Sequence, residues 1–146
     1  MKIHITLMSL FLLLLFCSSK DDGHEVFRVL SPSSKVEAIL VETNGGATTS
    51  YGYVVYLERT ENKTSKIEVA KFYGAVRSNS AYGVNIKWVS DNELQIEYLE
   101  AKSAEILKPS IELENVHYKV NLKAGIEDAS APSGGMFYNL QGRPNG

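Results

Sequence analysis

The sequence predicts an all-β fold, a single antiparallel sheet curled into a sandwich or partial barrel and preceded by an N-terminal signal helix. Three observations carry this. Residues 43–58 join a Gly-rich bend to the densest strand signal in the chain, Tyr51, Tyr53, Val54, Val55, Tyr56 and Leu57. Strand patterns flank that run on both sides, which places it centrally in an antiparallel sheet. Two later runs, Val84-Ile86-Trp88 and Leu94-Ile96-Tyr98, alternate with polar residues at a period of two.

The chain has 146 residues, enough for one domain and a targeting segment. Hydrophobic residues make up 44% and charged ones 22%, which supplies one core and argues against global disorder. A formal charge of −2 argues against a nucleic-acid module, which normally shows a basic face. Eight tyrosines suit a thin sheet with one partly wet face, because Tyr favours strands and buries its ring while keeping its hydroxyl hydrated. The one cysteine, Cys17, rules out an intramolecular disulfide.

Residues 1–17 read as a signal peptide: Lys2 opens it, and an apolar run ends at Leu14-Leu15-Phe16-Cys17. The run is shorter than the roughly 20 residues of a spanning helix. Two processing routes fit. The four-residue end resembles the lipobox of bacterial lipoproteins, in which the Cys is lipidated, with Leu14 in place but Phe16 where a small residue is usual. The other route is cleavage after Ser19, which would release a soluble secreted or periplasmic protein. Lipidation of Cys17 is the expectation, since the single Cys falls where the motif needs it and a polar tether, residues 18–25, follows.

The antiparallel domain is expected over residues 26–124. Residues 25–30 read as the first strand, Ser31-Pro32-Ser33-Ser34-Lys35 as a turn, and residues 36–43 as a second strand with apolar residues on both parities and so both faces covered. After the central strand, residues 59–64 form a solvated loop that carries the glycosylation acceptor pattern Asn62-Lys63-Thr64, which has no meaning in a bacterial host. Residues 66–72 return as a fourth strand. Residues 72–83 read as an ordered excursion that closes one end of the core through Phe72, Tyr73, Val76 and Tyr82. For the alternating pair, matching the apolar faces sets Trp88 against Leu94, Ile86 against Ile96 and Val84 against Tyr98, with a three-residue loop of Ser90, Asp91 and left-handed Asn92. Residues 101–107 could form a helical turn, which Pro109 stops. Val116, Tyr118, Val120 and Leu122 give the last strand, and residues 125–146 read as a Gly/Pro/Ser-rich tail with Met136, Phe137, Tyr138 and Leu140 as a docking patch.

The chemistry-bearing residues are sparse. Gly45, Gly46, Thr48 and Thr49 form a possible ligand loop whose amides and hydroxyls could cradle an anion, although β-turn geometry explains the glycines without one. His117 reads as a solvated strand residue, and no spacing supplies a zinc site. No Gly-x-Ser-x-Gly elbow accompanies the serines. Glu112 and Glu114 look like solvated charge. No catalytic residue, metal or cofactor is expected.

The chain resembles a family of small bacterial envelope proteins, many of them lipoproteins. The matching features are Ser31-Pro32-Ser33-Ser34-Lys35 before a strand, Gly45-Gly46-Ala47-Thr48-Thr49-Ser50 before an aromatic strand, and residues 88–98 at the end of the core. Where such proteins usually carry Ser-Pro-Asp-Gly-Lys, this chain has Ser33-Ser34. The resemblance implies an all-β exported domain and carries over no catalytic residues. The expectation is a membrane-anchored lipoprotein of the cell envelope, acting as a non-enzymatic binding or structural module. Its partners would be the membrane surface, reached through the lipid, and an envelope protein. The alternative is a periplasmic enzyme or enzyme inhibitor.

Overall fold

A computed structural model describes residues 23–63 and 65–128; the expected signal helix, Cys17 and residues 129–146 lie outside the described residues. The described regular structure is all strand: β1 (His24–Leu30), β2 (Val36–Asn44), β3 (Tyr51–Arg59), β4 (Ile67–Tyr73), β5 (Arg77–Ser78), β6 (Ala81–Tyr82), β7 (Val84–Ser90), β8 (Glu93–Tyr98), β9 (Ser103–Ile106), β10 (Ser110–Leu113) and β11 (Val116–Lys123). The Tyr-rich strand β3 does sit centrally, in a five-stranded sheet ordered β1-β2-β3-β4-β9.

The expectation of a single sheet is corrected. A second sheet of four strands runs β10-β11-β8-β7, and β5-β6 form a separate two-stranded ribbon. The division falls at Pro109. Residues Leu107 and Lys108 still donate to the Val69 carbonyl of the first sheet, whereas the Pro109 carbonyl accepts from Val120 in the second. Proline has no N–H to continue the first ladder, so the chain changes sheets there. The helical turn considered for residues 101–107 is likewise replaced by β9, whose Ala104 and Ile106 alternate with Ser103 and Glu105 and pair with β4. Because β9 leaves for the first sheet and β10 returns to the second, β11 comes to lie parallel to β8, the one parallel pair among the described strands.

The two larger sheets share one core. Ala38 and Leu40 of β2, Tyr53, Val55 and Leu57 of β3, and Phe72 of β4 meet Val84, Ile86, Leu94, Ile96, Tyr118 and Val120. Each such fully buried aliphatic side chain contributes roughly 1.5–3 kcal/mol. No closed barrel forms among the described residues. Strands β1 and β7 lie side by side without a ladder, and the Trp88 indole N–H bridges them by donating to the Val29 carbonyl at 3.2 Å.

The β7–β8 register is Trp88 to Leu94, Ile86 to Ile96 and Val84 to Tyr98, as the matching of apolar faces requires. The odd residue is not in the loop, however. Ser90 pairs with Glu93 and the register shifts between Trp88 and Ser90. Val89 is therefore a bulge, and Asn92 is not among the non-glycine residues with positive φ. A bulge absorbs an extra residue by twisting the strand, which leaves the turn at two residues. Both faces of β2 are covered, since residues 36–41 are all buried. Residues 125–128 remain attached: Gly125 and Ile126 donate to the Leu99 and Tyr98 carbonyls, and Asp128 donates to Ser80.

Candidate functional site

Strands β2, β3 and β4 bring one set of side chains to the end of the core opposite the Ser31-Pro32-Ser33-Ser34-Lys35 turn. Register puts Glu42 opposite Tyr53 and Tyr53 opposite Phe72 on the core-facing side. Glu42 thus continues the inward parity of Ala38 and Leu40. The chain then leaves β4 through Gly74 and comes back into β7 through Gly83, both in the left-handed region at φ 63° and 83°. Between them residues 74–83 form a strap that carries Arg77 and Tyr82 over Tyr53. Gly83 packs directly on the Tyr53 hydroxyl where a Cβ would collide with it, so this crossing requires glycine.

The cluster beneath the strap is charged, aromatic and largely dry. The Arg77 guanidinium stacks over the Tyr51 ring at 4.1 Å and over Tyr82 at 5.1 Å, an arrangement in which the ring quadrupole attracts the cation. Its Nη1 lies 3.6 Å from Glu42 Oε2, and the Tyr82 hydroxyl donates to the same oxygen at 3.4 Å. Tyr53 is fully buried, and its hydroxyl makes no hydrogen bond of normal geometry. Burial first and the Glu42 carboxylate second push the Tyr53 phenol far above its ordinary value. The same two causes push Tyr82 up to about 12. Both phenols therefore stay protonated at any physiological pH.

Beside the strap, Tyr73 is exposed. Its hydroxyl accepts from the Ser50 amide at 3.1 Å, which holds its pKa below the usual phenol range. Lys102 reaches across from the start of β9, donating to Ser50 Oγ at 2.8 Å and standing 5.7 Å from the Tyr73 ring centre. The loop with Gly45, Gly46, Thr48 and Thr49 forms the neighbouring exposed turn. Gly46 N–H donates to Asn44 Oδ1 and Thr49 N–H to the Gly46 carbonyl, so these two amides close the turn on itself.

The remaining sequence candidates are scattered. His117 lies on an exposed strand face, its Nε2 3.8 Å from Glu112 Oε2, and Glu114 pairs with Arg59 at 3.4 Å on the surface. Among the described residues no three His, Cys, Asp or Glu side chains converge to hold a metal ion. Cys17, the expected lipidation site, lies outside the described residues. Compared with protein-family models, curated proteins and solved structures, the chain matches none.

Neither Glu42 nor Arg77 stood out in the sequence. Glu42 had a signal: it occupies the inward parity of an otherwise apolar strand, where a carboxylate must find partners or water. Arg77 had none, because nothing local shows that the loop carrying it folds back over β3.

Proposed function

We propose that the chain is an exported module of the bacterial cell envelope, anchored by lipid at Cys17, that binds another envelope component through its strap end without transforming it. The carrying observation is the set of side chains that the strap gathers: Arg77 stacked on Tyr51 and Tyr82, beside Glu42 and over the Tyr53 hydroxyl. Tyrosine and arginine are the side chains most enriched in recognition surfaces. Both phenols are held protonated and so do not act as proton acceptors, which supports binding over proton-transfer catalysis. The anchor is supported by the apolar run that ends in the chain's one cysteine and by the polar tether after it.

Metabolic labelling with a fatty-acid analogue tests the anchor. The wild-type protein should take up label and fractionate with membranes, and Cys17→Ser should lose both. A Cys17→Ser protein that keeps its label and membrane association sinks the lipid reading, and soluble, unlabelled wild type points to cleavage after Ser19 instead. Binding is tested by capture from envelope extract with wild type and Arg77→Ala side by side. A component held equally by both would place recognition elsewhere.

A further inference from the structure

The geometry points to the seam between β1 and β7 as a lipid-facing ridge, in which Leu30, Val89 and the edge of the Trp88 ring seat where headgroups meet acyl chains. This rests on the reading of Cys17 as the anchor and adds a second contact with the same membrane, apart from the strap end.

The sandwich is open at this seam. Strand β1 is the outermost of the five-stranded sheet and β7 of the four-stranded one, and no ladder joins them among the described strands. Burial shows the consequence. Register sets Phe27 opposite Leu40 and Val29 opposite Ala38. Leu40 and Ala38 are fully buried, whereas Phe27 and Val29 are only half-buried. The next residue, Leu30, is 47% exposed. Across the seam Trp88 is half-buried, and Val89, pushed out by the bulge, is also 47% exposed. Leu30 and Val89 each follow one member of the Val29–Trp88 bridge. A core left ajar thus gathers apolar side chains in one place, where a single exposed aliphatic would carry no meaning.

The edges themselves are poor templates for an added protein strand. Strand β1 departs from regular pairing between Glu25 and Phe27, and β7 bulges at Val89; bulges of this kind blunt an edge. The Val29 carbonyl, an acceptor that an added strand would use, is taken by the Trp88 indole. The neighbouring charges turn away. Arg28 lies on the outer face among Glu25, Glu37 and Glu58, and Lys87 pairs with Glu97 on the face opposite Trp88. The ridge residues bear no charge that a lipid boundary would have to desolvate. Tryptophan favours that boundary, and aliphatic side chains beside it insert into it.

The reach of the anchor fits the same surface. Cys17 precedes Gly23 by six residues, which limits the path from lipid to domain to about 20 Å. Strand β1 begins at the next residue and is itself about 20 Å long. The membrane is therefore never farther from the start of this edge than the edge's own length, and the domain can lie down along it. That posture leaves the strap end facing sideways, open to a partner. Two aliphatic side chains and a ring edge hold a membrane weakly, so the contact forms only when the lipid already keeps the domain there.

Trp88 is the chain's single tryptophan, so its fluorescence reports on the ridge alone. The test reconstitutes full-length lipidated protein into phosphatidylcholine vesicles, plain or brominated near the head of the acyl chains. Brominated lipid should quench Trp88 to about half its intensity, and acrylamide should quench it about twofold less than in the soluble Cys17→Ser protein. Leu30→Ser and Val89→Ser together should abolish the quenching by lipid and restore access to acrylamide. The fatty-acid label and the urea midpoint of that double variant should stay close to wild type, since both side chains are exposed. The inference is overturned if brominated lipid quenches the double variant as it does wild type. Acrylamide protection that grows with the concentration of soluble Cys17→Ser protein would show a second copy covering the ridge, and would overturn it too. A soluble, unlabelled wild type sinks the anchor and this inference together. A labelled, membrane-bound wild type that brominated lipid leaves unquenched sinks the ridge and leaves the anchor standing.

Discussion

Two arginines lie against the same five-stranded sheet, one on each face, and the fold treats them in opposite ways. Arg28, on the outer face of β1, is saturated. Its Nε and Nη2 grip Glu25 at 2.8 and 2.9 Å, and its Nη1 bonds Glu37 and reaches Glu58 at 3.2 Å. Arg77, at the strap, has aromatic faces for neighbours and its carboxylate at 3.6 Å. A fork filled by carboxylates at bonding distance fixes geometry and leaves little for a ligand. A guanidinium stacked on two rings is held by its faces as well as by its counter-ion. The first arrangement ties β1 to carboxylates of the sheet, and the second lays the strap on the aromatic face of β3.

The comparison breaks most sharply at Arg28. The Glu58 side chain it serves is only 2% exposed and that of Glu37 10%. Arg28→Gln strands those carboxylates and should cost about 3–5 kcal/mol, whereas Arg77→Gln should cost less than half as much. Urea unfolding of both at pH 7 checks this; equal losses would erase the distinction. The pH dependence has a definite sign. The bond from Arg28 is the main cause that holds Glu25 below its ordinary value of 4.5, and that pairing outweighs burial. A depressed carboxylate pKa gives stability that is present above the ordinary value and lost as pH falls through the folded one. Wild type should therefore weaken below about pH 4.5, and the gap to Arg28→Gln should narrow there.

Next in size is Trp88, at the end of the core away from the strap. Its ring is half-buried, meets Tyr118 edge-on at 6.0 Å between centroids and ties β7 to β1 through the Val29 carbonyl. Trp88→Ala should cost roughly 3 kcal/mol, the low end for a large aromatic because the site is not fully closed. Lys87, one residue away, points to the opposite face with its own side chain exposed and pairs at 2.8 Å with Glu97, which is only 12% exposed. Lys87→Ala should cost no more than about 1 kcal/mol, because Glu97 keeps a donor in Gln95. Similar losses from the two would contradict the period-two reading of β7. A Trp88→Ala protein that also lost the Arg77-dependent capture from envelope extract would contradict the separation of the two ends.

How far the sequence was legible follows from which forces are local. The β7–β8 register could be deduced because Ile86, Trp88, Leu94 and Ile96 must share a face, and a one-residue slip would expose them all. The position of the bulge could not, since placing the extra residue at Val89 or in the turn satisfies that requirement equally. Strands β9 and β10 were missed for another reason. Each is four residues long, with only Ala104 and Ile106 or Ile111 and Leu113 to show its period. The division into two sheets depends on long-range pairing of β9 with β4, which no local pattern encodes. The cluster at the strap was hidden in the same way: Glu42 and Arg77 are far apart in sequence and meet only after the core has formed.

The smallest effect contrasts the two ends through their backbones. At the strap, the left-handed positions are held by glycine, at Gly74 and Gly83. At the opposite end, in the Ser31-Pro32-Ser33-Ser34-Lys35 turn, the left-handed position is held by Ser34 at φ 59°. That turn is otherwise well made, because Ser34 N–H donates to Ser31 and the Ser34 carbonyl accepts from the Thr60 hydroxyl. These bonds use only the Ser34 backbone, so Ser34→Gly preserves them while removing the Cβ. The left-handed conformation costs a residue with a Cβ about 1–2 kcal/mol. Glycine gives back roughly 0.5–1 kcal/mol of that through its greater freedom when unfolded. The net expectation is a gain of about 0.5–1 kcal/mol, seen as a higher urea midpoint with an unchanged slope. Capture from envelope extract should stay as in wild type, since the turn lies at the far end of the core. A loss of stability would mean that the Ser34 side chain makes a contact that stabilises the turn, and altered capture would mean that the two ends are coupled.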